Sequence, residues 1–177
     1  MRDNKVVVFG GNGFIGSHII AQLAAEGVRV VVPTRRPERA AHLILLPGVQ
    51  VVACDIGKDD LAPLLQGAAA AINLVGVLYS HRGTPYGPEF KHAHVEIPRR
   101  IVAACAAAGV PRYLHMSALG ADIQGSSMCQ RSKADGEVAA HAEPSVAATI
   151  FRPSVLFGPE HNFLNMFARL QKHLPFV

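Results

Sequence analysis

Cys129 precedes Lys133 by four positions in "SSMCQRSKADGE" (126–137). On a helix that spacing puts thiol and ammonium on one face. A cation near a thiol favours the thiolate, so the pair could act as a nucleophile or a redox-sensitive group. A buried, inert cysteine is the competing reading. The second stretch with chemistry in it is "VVVFGGNGFIGSHI" (6–19). Its glycines can be parsed as GxGxxG through Gly11, Gly13 and Gly16, or as GxxGxxG through Gly10, Gly13 and Gly16. Either way the chemistry is the same: a tight turn off a strand, a backbone bare enough for a diphosphate to approach, and a helix N-terminus offering free N–H groups to it. The pattern alone is weak. Its place at the first strand–helix junction argues against a glycine turn with no ligand.

A dinucleotide site usually carries Asp or Glu at the end of the second strand to hold the ribose hydroxyls. Here that strand opens into "VVVPTRRPER" (30–39), where two arginines, Arg35 and Arg36, and no acid directly follow the strand. Guanidinium pairs bidentately with phosphate whereas carboxylate repels it. Arg35 and Arg36 therefore point to the 2′-phosphate of NADP(H), with NAD(H) the other cofactor admitted and a solvated basic loop the alternative. Asp55 could face adenine or serve only its own turn. "NLVG" (73–76) closes the fourth strand where backbone would pass the nicotinamide-side ribose.

These groups need elements to position them, and the chain alternates short apolar runs with helical stripes. Strands are expected at 5–10, 28–33, 49–54, 68–76, 112–120 and 146–153. Helices are expected at 14–27, closed by Gly27, at 37–46, 58–67, 89–109, 128–142 and from 162 onward, with Pro98 bending the long one. Strand runs that are continuously apolar belong to a parallel sheet covered on both faces. Right-handed crossovers make it a doubly wound α/β fold. Residues 1–158 read as the dinucleotide-binding domain and 159–177 as the start of a truncated C-terminal segment, with the substrate part largely absent.

Bulk properties narrow the classes. With 177 residues, half of them hydrophobic, the chain has material for one substantial core and not two. Cys54, Cys105 and Cys129 lie far apart without CxxC spacing, and the nine histidines form neither HxxxH nor HExxH, so no metal site is expected and the histidines read mostly as surface or helix-end residues. The net charge of +4 is scattered and aromatics are few, which argues against nucleic acid. No apolar run nears the ~20 residues of a membrane span, and no leader-like segment precedes the first strand. A cytoplasmic protein, with peripheral attachment to an inner membrane as a variant, is the expectation.

Taken together, Gly10/Gly13/Gly16, the Asp55 turn, "NLVG", "AAGVPRYLHMSALGA" (107–121), Lys133 and "FRPSVLFGPE" (151–160) resemble the extended and atypical short-chain dehydrogenase/reductase superfamily over essentially the whole chain. "IPRRIVAACAAAGVPRYLHMSALGADIQGSS" (97–127) and "FGPEHNFLNMFARL" (157–170) are similar to the subgroup containing the nucleotide-binding accessory subunit of respiratory complex I and its bacterial relatives. The resemblance implies a Rossmann domain whose cofactor contacts are Gly10, Gly13, Phe14, Ile15, Gly16, Arg35, Arg36, Asp55, Ile56, Leu74, Val75, Gly76, Lys133 and Pro153. In active members, serine and tyrosine at the positions of Ser117 and Cys129 bond the substrate, and lysine at the position of Lys133 anchors the ribose. Ser117, Cys129 and Lys133 are thus the catalytic candidates, with the tyrosine of Y-x-x-x-K replaced. A thiol on one carbon lacks the reach of a phenol and is a weak donor. The expectation is an NADP(H)-binding protein with weak or no hydride transfer and an accessory, assembly or sensing role, with a protein partner in a larger assembly. The alternative is an active reductase, epimerase or dehydratase acting on a carbonyl, quinone or sugar-nucleotide substrate.

Overall fold

The computed structural model describes residues 4–158. Six strands form one sheet: β1 (Lys5–Phe9), β2 (Arg29–Thr34), β3 (Val49–Ala53), β4 (Ala70–Asn73), β5 (Arg112–Met116) and β6 (Ala147–Phe151). All five pairings are parallel and the order is β3-β2-β1-β4-β5-β6. From β1 the chain builds outward to β3, then returns across the sheet to β4 on the other side of β1. That reversal opens a crevice beyond the carboxyl ends of β1 and β4, the place where doubly wound sheets bind ligands.

The strand β1 shows why its sequence does not alternate. Val6 and Val8 pack into one core with Ile20, Val30, Val32 and Leu43. Val7 and Phe9 pack into a second core with Leu65, Ile97, Ile101 and Tyr113 on the opposite face. A strand covered on both sides must be apolar at every position. The helix α1 (Phe14–Ala25) covers the first face through Ile20 and Ala24, and Gly27 ends it in the left-handed region at φ +72°.

Several expected elements are shorter in the structure. The stretch expected as a helix at 37–46 is a 3₁₀ turn, Pro37–Leu43, and the one expected at 58–67 is the single turn α2 (Ala62–Leu65). Proline sits in the first turn of each, and neither is long enough to propagate α-helical bonding. The fourth strand stops at Asn73, freeing 74–76 to form the crevice wall. The helix expected from 162 onward lies outside the described residues.

The long helix departs most informatively. Pro98 was expected to bend it, and the distortion lies on its N-terminal side: α3 (Pro88–Phe90) runs into a π-helical stretch, Lys91–Glu96, before α4 (Ile97–Ala107) resumes. Pro98 has no N–H to give the His94 carbonyl, and its ring crowds that oxygen. The chain widens instead, with the Ile97 N–H reaching back five residues to the His92 carbonyl. The helix α5 (Met128–Ala140) packs on this widened turn at Gly136, where a Cβ would lie 2.2 Å from the His94 oxygen. Ser127 starts α5 with a capping box: its hydroxyl accepts from the Gln130 N–H at 3.1 Å while the Gln130 side chain accepts from the Ser127 N–H at 3.0 Å. A Gly136→Ala substitution is expected to destabilise the fold by roughly 1–3 kcal/mol, the cost of overpacking against backbone that cannot yield. Urea denaturation of the variant beside the parent measures it.

Candidate functional site

The crevice begins where β1 runs out. Gly10 turns the chain at φ +76°, and a Cβ there would lie 2.9 Å from the Leu74 carbonyl carbon, so the backbones beyond β1 and β4 are in contact. The Gly13 N–H closes the turn on the Gly10 carbonyl at 3.1 Å. Gly16 is forced to be glycine by the fold itself, since a Cβ would sit 2.4 Å from the Gly11 oxygen. Gly13 differs. Its backbone, at φ −84° and ψ 173°, suits any residue, and its nearest neighbour to an added Cβ is the Gly10 oxygen at 3.3 Å. It caps α1 with no side chain, leaving the first-turn N–H groups without a side-chain acceptor. What Gly13 keeps bare is the approach from the crevice.

A cavity of about 440 Å³ opens over this turn. Of the residues expected at a cofactor site, Gly10, Gly13, Arg35, Arg36, Ile56, Leu74, Val75 and Gly76 line it. Asn12, Thr34, Arg39 and Cys54 line it too, and the sequence reading did not assign them to the site. Arg39 was legible in principle, because it stands one short helical turn beyond Arg35 and Arg36. None of the three guanidinium groups has a partner among the described residues. Gly16, Phe14 and Ile15 sit behind the turn at the start of α1. Asp55 serves its own turn: one carboxylate oxygen accepts the Gly57 N–H at 3.0 Å and the other lies 3.8 Å from the Lys58 ammonium.

The catalytic candidates gather at the other end of the crevice. Lys133 is nearly buried; its ammonium donates to the Met116 carbonyl at 3.1 Å and lies beside Gly76. Burial makes that ammonium easier to deprotonate than an ordinary lysine's. Ser117 follows β5 and is buried, but its hydroxyl proton is donated to Glu137, which is itself held by a two-point ion pair from Arg152. Burial pushes the Glu137 carboxyl up, and the bonds from Arg152 and Ser117 more than reverse this, leaving it below the usual glutamate range. Cys129 lies half-buried in the first turn of α5. Pro153 follows β6 and accepts the Leu119 N–H at 2.8 Å, joining the segments after β5 and β6.

Two of the nine histidines, a set read as mostly surface or helix-end residues, are core residues. His94, from the widened helix, accepts the Val77 N–H on Nε2 at 3.2 Å and meets Ser132 through Nδ1 at 2.9 Å. Ser132 in turn donates to the Cys129 carbonyl at 3.0 Å. This chain of bonds clasps the loop after β4 to the helix carrying Lys133. Below it, Asn73 donates to the Tyr113 hydroxyl at 2.9 Å, meets His115 Nδ1 at 3.2 Å and accepts the Val75 N–H at 3.0 Å. No helical or strand period marks a polar side chain that will be buried, which is why the clasp escapes sequence reasoning.

Burial, with the Lys133 charge adding to it, lowers His94 to about 3 and His115 to about 4, from 6.5. Both are neutral in the native protein and would take a proton when unfolded. The unfolded chain therefore binds more protons below pH 6.5, so stability is complete above that value and falls as pH drops toward 4. Each histidine is expected to contribute about 1.4 kcal/mol per pH unit in that window. His94→Gln should flatten the slope by one such increment, read from denaturation midpoints between pH 7 and pH 4.

Among the described residues no group of three or more His, Cys, Asp or Glu side chains could hold a metal ion, and no helix is long and apolar enough to cross a membrane. The chain is 34% identical over 172 residues to the mouse protein NADH dehydrogenase [ubiquinone] 1 alpha subcomplex subunit 9, mitochondrial, covering 91% of this chain and 43% of that one. It is 33% identical over 156 residues to a ceramide reductase of Caulobacter vibrioides, covering 87% and 47%. The chain thus spans less than half the length of these relatives. Its backbone superposes on a dTDP-glucose 4,6-dehydratase of Streptomyces venezuelae, solved with NAD, at a TM-score of 0.79 and 23% identity, covering 96% of this chain and 62% of that one. Residues 6–173 match the NAD dependent epimerase/dehydratase family, and the chain belongs to it.

Proposed function

We propose that this chain binds NADP(H) across the switch point of its sheet, carries out little or no hydride transfer, and serves as an accessory, assembly or sensing component of a larger assembly. The observation that carries the cofactor reading is Gly13. The backbone there does not need glycine for its own conformation, whereas a diphosphate approaching the turn would. The uncapped first turn of α1 offers N–H groups and the positive end of the helix dipole to the same anion. Arg35, Arg36 and Arg39 are unpaired at the β2 end, where a 2′-phosphate would fall, and no acid is among the residues lining the cavity to hold ribose hydroxyls in its place. Lys133, beside Gly76, is set to bond the nicotinamide-side ribose.

Bound there, the cofactor supplies a hydride donor or acceptor; this chain's own residues decide whether a proton can accompany it. Two features speak against ordinary turnover. Cys129 offers a short, weak donor where a phenol would stand, and the Ser117 proton is engaged by Glu137. An accessory role agrees with the mouse relative, whose name places it in a respiratory NADH dehydrogenase. With no membrane-crossing helix among the described residues, attachment to such an assembly would run through protein contacts. The second reading, an active reductase, epimerase or dehydratase, is favoured by the retention of Ser117 and Lys133 beside the crevice and by the ceramide reductase relative.

Fluorescence titration is expected to give saturable NADPH binding, weaker NADH binding, and a raised thermal midpoint with NADPH in excess. Gly13→Ala should abolish binding while leaving the midpoint without ligand close to the parent's; loss of fold instead would undo the argument from Gly13. Arg36→Glu should weaken NADPH at least tenfold and NADH much less, from the loss of a charge-assisted bond. Cys129→Tyr should yield measurable NADPH-dependent reduction of a carbonyl or quinone panel where the parent shows almost none. Turnover by the parent equal to that of the variant would favour the second reading.

A further inference from the structure

The two faces of the sheet are covered unequally. Register aligns Val8, Ile72, Leu114 and Thr149 in one row across β1, β4, β5 and β6, so these share a face, with Met116 and Phe151 one pleat further along. The opposite face carries Tyr113, Ala148 and Ile150, and α4 covers it to the outer edge through Ile101, Val102 and Cys105. The first face is covered only partway. There α1 and the 3₁₀ turn bury Val8 through Ile20, Ala40 and Leu43, and this core reaches as far as Ile72. Beyond it, among the described residues, Leu114 and Met116 are half-buried, Thr149 is exposed and Phe151 is 48% exposed. Parallel strands that meet water on one face are unusual, because crossover helices cover both.

The chain itself leads to this open face. β6 leaves the sheet at Phe151, yet a Cβ at Gly158 would lie 2.8 Å from the ring of Phe14, the first residue of α1. Between those points the chain has passed from the sheet's outer edge to the layer that α1 occupies. Residues 159–177 follow. In "NFLNMFARLQKHLP" (162–175) Phe163, Phe167, Leu170 and Leu174 recur on one helical stripe, with Asn165, Arg169 and Lys172 on the other side. Asn162 stands where a helix N-cap belongs, and Pro175 where a helix stops. A helix over 163–174 would be about 18 Å long, and the five-residue strands beneath it about 17 Å. Started at the Gly158 end, it would run antiparallel to β5 and bring its C-terminal carbonyls toward Arg112. That residue is exposed and shares the face with Leu114, and a cation suits a helix C-terminus.

We infer that residues 163–174 form an amphipathic helix that docks beside α1 on the open face of β5 and β6, its apolar stripe covering Leu114, Met116 and Phe151. Tethered by a short run, this segment outcompetes an occupant from outside, whose docking must also offset lost translational freedom. The docked helix joins to the nucleotide-binding domain a stretch that a boundary at 158 leaves outside it. It also braces the run after β6, whose Pro153 carbonyl holds the Leu119 N–H.

The chain has no tryptophan, so one introduced indole reports on its own surroundings. In the full chain, Phe167→Trp is expected to emit at shorter wavelength than in urea and to resist acrylamide, while Asn165→Trp is quenched freely. Adding Phe151→Ser to Phe167→Trp should open the indole to acrylamide; adding Val138→Ser, at an exposed site on α5, should not. Phe167→Asp is expected to lower the thermal midpoint by roughly 4–8 °C, and Asn165→Asp to leave it unchanged. Equal quenching of Phe167→Trp and Asn165→Trp would overturn the inference. So would shielding that ignores Phe151→Ser, because the stripe would then pack elsewhere. Shielding that appears only as concentration and sedimentation coefficient rise together would overturn it too, making a second copy of the chain the occupant. None of these readouts involves a nucleotide, so failure of NADPH to bind would remove the cofactor reading and leave this one standing.

Discussion

The structure turns on the contact between two backbones at the centre of the sheet. Gly10, beyond β1, leaves no room for a side chain against Leu74 and Val75, beyond β4, and Gly16 leaves none against Gly11. These approaches let α1 begin directly over the end of β1 and let the loop after β4 run along the same crevice. Everything placed around the crevice follows: the arginines after β2 at one end, Lys133 and Ser117 at the other. A side chain at Gly10 or Gly16 would push these segments apart and dissolve the site before altering its chemistry.

The crevice is polarised along its length. At one end, positive charge is exposed and unpaired. At the other, charge is neutralised within the protein, by Glu137 with Arg152 and by carbonyls that accept from Arg131 and Lys133. Such internal pairing in partly buried surroundings fixes geometry more than it adds stability, because desolvation offsets much of the Coulombic gain. Its effect is to fix Ser117 and Lys133 in place.

How much of this the sequence disclosed depends on the kind of signal. The strands were legible because burial on both faces leaves an unbroken apolar run, as in "VVVF". The crevice wall was legible through glycine, whose lack of a side chain is itself information. The arginines at 35 and 36 were legible from the missing acid, while Arg39 joins them only because a 3₁₀ turn brings it round. The π-helical stretch was half legible: Pro98 announces a disturbance but not its direction, which depends on where α5 presses. The clasp from Val77 through His94 and Ser132 was invisible, since its members lie far apart in the chain and nothing local distinguishes a histidine in the core from one at the surface.

That clasp has a consequence for how such a protein could change. It holds Lys133 and the loop after β4 through the Ser132 hydroxyl and the main chain of residue 129, not through the side chain at 129. The Cys129 thiol takes no part in those bonds. Chemistry there can be deleted or restored by one codon while the architecture stays silent about it. A lineage could drift between catalyst and nucleotide-holding scaffold, and back, without ever passing through an unfolded intermediate form.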